Sequence, residues 1–245
     1  MAMRIVCAGD SQTRGQYGVG YIPILAERLR GQGVTFTNAG VNGDTSANLL
    51  ARLDDVIAAQ PDVVSVLIGT NDAWATLSAA NAEKVMQKKG LAVAPTLERY
   101  RENLAAIIGR LDAETDAHLA VLSPPALGQD LASPAVRIGA QFAEAAWAVA
   151  ADHHVEYLPL FERQRDYLEG CGAIALPYPE GLVQRYTSVL GHKLLRRSYD
   201  AIAEGRQLAL TSDFVHQNSR GATMIADLLE GFLRETALPR SARLP

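Results

Sequence analysis

The segment Asp62-Val-Val-Ser-Val-Leu-Ile-Gly69 is apolar at nearly every position and stops at a glycine. A strand with one wet face would alternate apolar and polar residues. A continuous run of this length, between a charged residue and a glycine, suits a central parallel strand covered on both faces. Working outward, four further short apolar runs read as strands: Arg4-Ile-Val-Cys-Ala8, Val34-Thr-Phe-Thr37, His118-Leu-Ala-Val-Leu122 and Val155-Glu-Tyr-Leu158. Helical spacing fills the gaps between them. Ile22, Leu25, Ala26 and Leu29 form one face; Leu49, Leu50, Leu53, Val56 and Ile57 form another, behind a Thr45 or Ser46 cap. Tyr100, Leu104, Ile107, Ile108 and Leu111 follow Pro95-Thr96, an alanine-rich helix spans about 133–151, and a last helix spans about 221–233. The residues around Lys84 to Lys89 read as a polar connection. Strand alternating with helix predicts an α/β fold with a parallel sheet of about five strands.

The chain has 245 residues, 48% hydrophobic and 20% charged, which excludes a disordered tail, a collagenous repeat and a small disulfide scaffold. No repeat or linker divides it, so 1–245 is expected to be a single domain. The irregular stretch 163–211, with Pro177 and Pro179, is predicted to be a helical insertion or lid. The stretch 73–94 is also long, and either could overhang a site. A net charge of −4 argues against a nucleic-acid partner. Cys7 and Cys171 are expected to be plain thiols, with a pairing left open. No run approaches the roughly 18 apolar residues of a membrane span. The apolar stretch Ile5 to Ala8 is too short for a signal peptide, so a cytoplasmic protein is expected.

In an open parallel sheet, ligands bind beyond the carboxyl ends of the strands. Three predicted strand ends carry polar groups: Gly9-Asp10-Ser11, the loop Asn38 to Gly43, and Gly69-Thr70-Asn71-Asp72. Asp213-Phe-Val-His216 precedes the last helix. Each alone is as well read as a turn, a helix cap or a surface pair. Together they are the parts of an acyl-transfer site. Ser11 supplies a hydroxyl nucleophile, His216 a base and Asp213 a carboxylate to fix the imidazole tautomer. Gly43 lets a bare backbone N–H approach an oxyanion, Asn71 offers a side-chain amide, and the Ser11 N–H is a third donor. Gly40 competes with Gly43 for that role. His118, His153, His154 and His192 lack a partner pattern and are read as structural or solvated.

These blocks resemble the SGNH (GDSL-type) hydrolase family: Ala8-Gly-Asp-Ser-Gln12, Asn38-Ala-Gly-Val-Asn-Gly-Asp-Thr-Ser46, Ile68-Gly-Thr-Asn-Asp72 and Asp213-Phe-Val-His216. The helix Tyr21-Ile-Pro-Ile-Leu-Ala-Glu-Arg-Leu29 and the strand exit Ser123-Pro-Pro125 are similar too, so the likeness covers essentially the whole chain. The resemblance implies an esterase or lipase-like acyl hydrolase on a flavodoxin-like three-layer α/β/α fold. It implies a triad of Ser11, Asp213 and His216, an oxyanion hole of Ser11, Gly43 and Asn71, a small-molecule ester substrate, and no metal or cofactor. It favours Gly43 over Gly40, because the family's glycine precedes an Asp-Thr pair, here Asp44-Thr45. Gln12 departs from the usual aliphatic residue after the serine. Arg196-Arg197 in the stretch 163–211 points to an anionic substrate group. A catalytically silent small-molecule binding module on the same fold is the alternative. A dinucleotide binder is disfavoured, because Ala8-Gly-Asp-Ser-Gln-Thr-Arg-Gly15 lacks the G-x-G-x-x-G spacing. Acyl chain length, natural substrate and oligomeric state are not legible in the sequence.

Overall fold

A computed structural model of the chain describes residues 2–179 and 183–237, without the side chains of Arg185 and Ala237. Part of the predicted insertion, residues 180–182, lies outside the described residues. Five strands form one parallel sheet: β1 (Met3–Gly9), β2 (Val34–Gly40), β3 (Val63–Leu67), β4 (His118–Leu122) and β5 (Glu156–Leu158). Their spatial order is β2-β1-β3-β4-β5, the flavodoxin-like winding whose direction reverses between β1 and β3.

Twelve α-helices are described. The first six are α1 (Ser11–Arg14), α2 (Tyr21–Arg28), α3 (Ser46–Ala51), α4 (Leu53–Ala58), α5 (Thr70–Thr76) and α6 (Ala79–Lys89). The others are α7 (Leu97–Glu114), α8 (Pro134–Asp152), α9 (Leu160–Gly170), α10 (Val183–Lys193), α11 (Tyr199–Gly205) and α12 (Ser219–Phe232), with a π turn at Leu233–Ala237.

The two-residue period of the strands sorts the core into two halves. Val6, Ala8, Val64, Val66 and Val121 face α3, α4, α7 and α8, meeting Leu49, Leu53, Leu104, Ile107 and Phe142. Ile5, Cys7, Leu67, Ala120 and Leu122 face α2, α9 and α12, meeting Tyr21, Leu25, Leu168, Ile225 and Leu229. β3 is buried at every position, as its continuous apolar run requires. The three-layer α/β/α sandwich expected from the sequence is present.

Three local readings change. The helix expected over Leu49 to Ile57 is two helices, broken at Arg52. Its guanidinium is drawn inward, donating from Nε to Asp44 at 2.7 Å and from Nη2 to the Gly9 carbonyl at 3.0 Å. The expected polar connection around Lys84 is the helix α6, capped by Ser78 accepting from Asn81 N–H and stopped by Gly90 at φ +65°. Val85 is its one fully buried residue, so it lacks an apolar stripe. Entering the irregular stretch, α9 packs against the sheet through Leu160, just before it, and Leu168, within it. Cys7 is buried in β1 and Cys171 exposed beyond α9; both are free thiols.

Candidate active site

The chain leaves β1 through Gly9, where an added Cβ would sit 2.2 Å from the Leu67 carbonyl oxygen; only glycine allows β1 and β3 to run this close. Asp10 then caps α1 by accepting from the Gln12 N–H at 2.8 Å. This sets Ser11 as the first residue of the helix. Its N–H belongs to the first turn, where helix geometry supplies no acceptor.

The Ser11 Oγ lies 3.0 Å from His216 Nε2, and His216 Nδ1 lies 2.7 Å from Asp213 Oδ2. The loop that makes this possible is closed by a bridge between Thr211 and Gln217 and by the Ser212 N–H donating to the His216 carbonyl at 2.9 Å. Phe214 sits at φ +74°, a left-handed conformation that costs a non-glycine residue about 1–2 kcal/mol. Its ring is buried against Leu208 and Ala203 and edge-on to Tyr178, and its carbonyl accepts from Gly128 N–H at 2.8 Å. The turn brings Asp213 under its own loop, where Oδ1 accepts from the His216 N–H at 2.7 Å and the Val215 N–H at 3.1 Å. Burial alone would raise the Asp213 carboxyl. The His216 charge and these hydrogen bonds outweigh it and hold the group below the usual range. Tyr17 meets the His216 ring edge-on at 5.2 Å.

Asn71 stands one residue inside α5, donating from Nδ2 to the Asp44 carbonyl at 2.9 Å and more loosely to Asp10 Oδ2 at 3.3 Å. Gly43, at φ +78°, lines a cavity of about 70 Å³ together with Asn71, Asp213 and His216; Trp74, Val85 and Val215 give it apolar walls. Gly40 does different work. An added Cβ there would fall 2.4 Å from the Arg14 nitrogen, so this glycine lets β2 pack on α1. The loop bearing Gly43 is locked by Asp44, which is 2% exposed and pairs with Arg52 at 2.7 Å and Lys89 at 2.6 Å. Asp72 holds the start of α3, accepting from the Ser46 N–H at 2.9 Å and the Ser46 hydroxyl at 2.6 Å. Burial raises Asp10 to about 7 and Asp72 to about 6.

All five residues singled out in the sequence therefore converge at the carboxyl ends of β1 and β3. Sequence reasoning missed their supports. Gln12, the departure from the family pattern, donates from Nε2 to the Val215 carbonyl at 2.9 Å, beside His216, and Gln164 continues the buried amide chain through Gln217 at 2.8 Å. No local pattern marks such pairs. The expectation for Arg196 and Arg197 is corrected: neither lines the cavity, and Arg197 is turned to the Ala201 carbonyl at 3.1 Å. The lining cations are Lys84, Lys88 and Lys89 of α6. His192 bonds the Arg197 carbonyl at 2.9 Å and stacks on Tyr199, a structural role. Among the described residues, no group of three or more His, Cys, Asp or Glu is placed to hold a metal ion, and no helix is long and apolar enough to cross a membrane.

Comparisons with known proteins bear on the fold and the family. The acetylxylan esterase of Geobacillus stearothermophilus is 40% identical over 65 residues, a match taking in 24% of this chain and 30% of that protein. The crystal structure of Axe2, an acetylxylan esterase from Geobacillus stearothermophilus, superposes with a TM-score of 0.67 at 20% identity, over 97% of this chain and 95% of that one. A lipase/acylhydrolase from Enterococcus faecalis does so with a TM-score of 0.61 at 21% identity, over 95% and 96%. At these identities the structural likeness establishes the fold. The sequence itself matches the GDSL-like lipase/acylhydrolase family over residues 7–224. The chain belongs to that family.

Proposed function

We propose that the protein is a serine ester hydrolase working through an acyl-enzyme, with Ser11 as nucleophile, His216 as general base and acid, and Asp213 as the orienting carboxylate. The observation that carries this reading is the unbroken chain from Ser11 Oγ to His216 Nε2 at 3.0 Å and from His216 Nδ1 to Asp213 at 2.7 Å. As Ser11 Oγ attacks the ester carbonyl, its proton passes to Nε2. The carbonyl oxygen takes up negative charge and is met by the N–H groups of Ser11 and Gly43 and the Asn71 amide. Collapse of the tetrahedral intermediate expels the alcohol, which leaves with the proton from His216. Water then attacks the acyl-enzyme with His216 as base, releasing the acid and free Ser11.

The cavity of about 70 Å³ favours a small acyl group such as acetyl on a small-molecule ester. The acetylxylan esterases among the similar proteins are in keeping with that choice, and catalytic mutants of Axe2 replace a serine and an aspartate. The whole chain is read as one domain, in which the stretch 163–211 walls the site. Tyr178, Pro179 and Gln184 from that stretch line the cavity. The test is labelling with a small fluorophosphonate followed by mass-spectrometric mapping. A single adduct on Ser11, absent in Ser11→Ala, is expected. An adduct elsewhere, or none under forcing conditions, rejects Ser11 as nucleophile.

A further inference from the structure

Building on the serine-hydrolase reading, we propose that Lys84 and Lys88 select an ester bearing an anionic group, a carboxylate or a phosphate, beside the scissile bond. Both line the same cavity as His216, on the face of α6 that also offers Val85 and Lys89. Lys89 is already engaged, pairing with Asp44 at 2.6 Å and donating to the Asn42 carbonyl at 3.1 Å. Among the described residues, the exposed side chains of Lys84 and Lys88 make no ion pair or hydrogen bond. The carboxylate lining the cavity among the described residues is Asp213, which is held by His216. Glu83 of the same helix is engaged by Gln87 at 3.0 Å.

Two lysines four residues apart on one helix face repel each other. The helix C-terminus offsets this for Lys88 and Lys89 in the last turn of α6, where cations are favoured. Lys84 lies a turn earlier and gains little from it. A bound anion between the two ammonium groups removes the repulsion; both lysines are exposed, so water and salt screen the contact. There is room for the remainder of such a substrate. A hollow of about 830 Å³ adjoins the cavity and shares Lys84, Tyr178 and Pro179 with it. Among the described residues its acidic lining residue is Asp130, which leaves the lysine end as the place for an anion.

The experiment compares monoacetates of methyl glucoside, methyl glucuronide and methyl glucoside 6-phosphate, with 4-nitrophenyl acetate as a neutral monitor of turnover. The wild type is expected to favour at least one charged sugar ester by up to about tenfold in kcat/KM, the upper scale of two exposed charge contacts. The gain should lie mainly in KM and shrink with added salt. In K84A/K88A the preference, read as the ratio of charged-sugar to neutral-sugar kcat/KM, should fall to about twofold or less, and K84E/K88E should reverse it. Preference for the phosphate or for the carboxylate identifies the source of the anion. Ser11-dependent cleavage of 4-nitrophenyl acetate with no charged preference, or equal losses on all four esters in the variants, overturns the inference and leaves the serine-hydrolase reading standing. Absence of both turnover and Ser11 labelling defeats that reading, and this inference with it.

Discussion

Replacing Asp213 by Asn should stop catalysis while leaving the fold intact, and the reason is visible in how the two carboxylate oxygens are used. Oδ1 accepts from two backbone N–H groups, those of His216 at 2.7 Å and Val215 at 3.1 Å. An asparagine must therefore keep its carbonyl oxygen at that position, because an amide NH2 there would face two donors. Its nitrogen is then forced to the Oδ2 position, 2.7 Å from His216 Nδ1. The amide donates to Nδ1, the imidazole carries its proton on Nε2, and Nε2 can no longer accept the Ser11 proton across 3.0 Å. A wrong tautomer of this kind costs about 10⁴ in kcat. Stability should change little, since both backbone N–H groups keep their acceptor. Asp213→Ala makes the opposite trade. It imposes no tautomer but leaves two buried donors unpaired, each costing roughly 1–3 kcal/mol, so its melting temperature should fall well below that of Asp213→Asn. Steady-state hydrolysis of 4-nitrophenyl acetate, thermal melts and the rate of fluorophosphonate labelling check all three statements. Turnover by Asp213→Asn within tenfold of the wild type would refute the orienting role.

Asn71→Ala should lower kcat by about 10²–10³ with little change in KM, the usual loss for one oxyanion donor, measured by steady-state kinetics on the same ester. Gln12→Leu, which brings back the aliphatic residue common in the family, removes the donor 2.9 Å from the Val215 carbonyl. It should cost about 1–2 kcal/mol, or roughly 3–6 °C in Tm for a chain of this size, and lower kcat because the loop bearing His216 loses an anchor; an unchanged melt would show the contact to be idle. Asp10 and Asp72 are raised to about 7 and about 6, so both bind protons more tightly in the folded state than in the unfolded one. The stability they contribute is full below about pH 4 and is lost as pH rises through 6 and 7, on the order of 3 kcal/mol for Asp72. Thermal melts from pH 4 to pH 8 should therefore decline less steeply for Asp72→Asn than for the wild type, and parallel curves would reject the buried-acid account.

What could be read from the sequence divides along a physical line. β3 was legible because a strand covered on both faces needs apolar side chains at every step, and Val63 to Leu67 supply them except at Ser65. The helix α7 was legible because Tyr100, Leu104, Ile107, Ile108 and Leu111 repeat at its own period and are all buried. The helix α6 was hidden because its stability comes from the Ser78 cap, the Gly90 stop and contact through Val85, none of which produces a periodic signal. The candidate site residues were legible as types, Ser11, Gly43 and Asn71 at strand ends and Asp213 and His216 before the last helix. Their supports were not, because Arg52 to Gly9, Ser46 to Asp72 and Gln12 to Val215 are pairings across the fold that only a finished backbone brings together. The cations around the cavity were misassigned to Arg196 and Arg197 for the same reason: charge in a sequence has no direction until a helix gives it a face.

The site is also costly to build, and the cost lies where the chemistry is. Phe214 is held in a left-handed conformation, and Asp10, Asp44, Asp72 and Asp213 are all nearly fully buried. Each carboxylate has a separate mechanical task. Asp10 caps the helix that starts at Ser11, Asp44 locks the loop of Gly43, Asp72 ties α3 to α5, and Asp213 is bonded to His216. Buried carboxylates are destabilising unless they are paired or well hydrogen-bonded, so apolar residues in three of these places would give a more stable sheet edge. They could not give a fixed one. Directional bonds to Gln12, Arg52 and Ser46 hold three strand-exit loops in register, and oxyanion donors work only if they are in place before the charge develops. The stability given up at the ends of β1, β2 and β3 is thus what would hold Ser11, Gly43 and Asn71, the proposed oxyanion donors, in place.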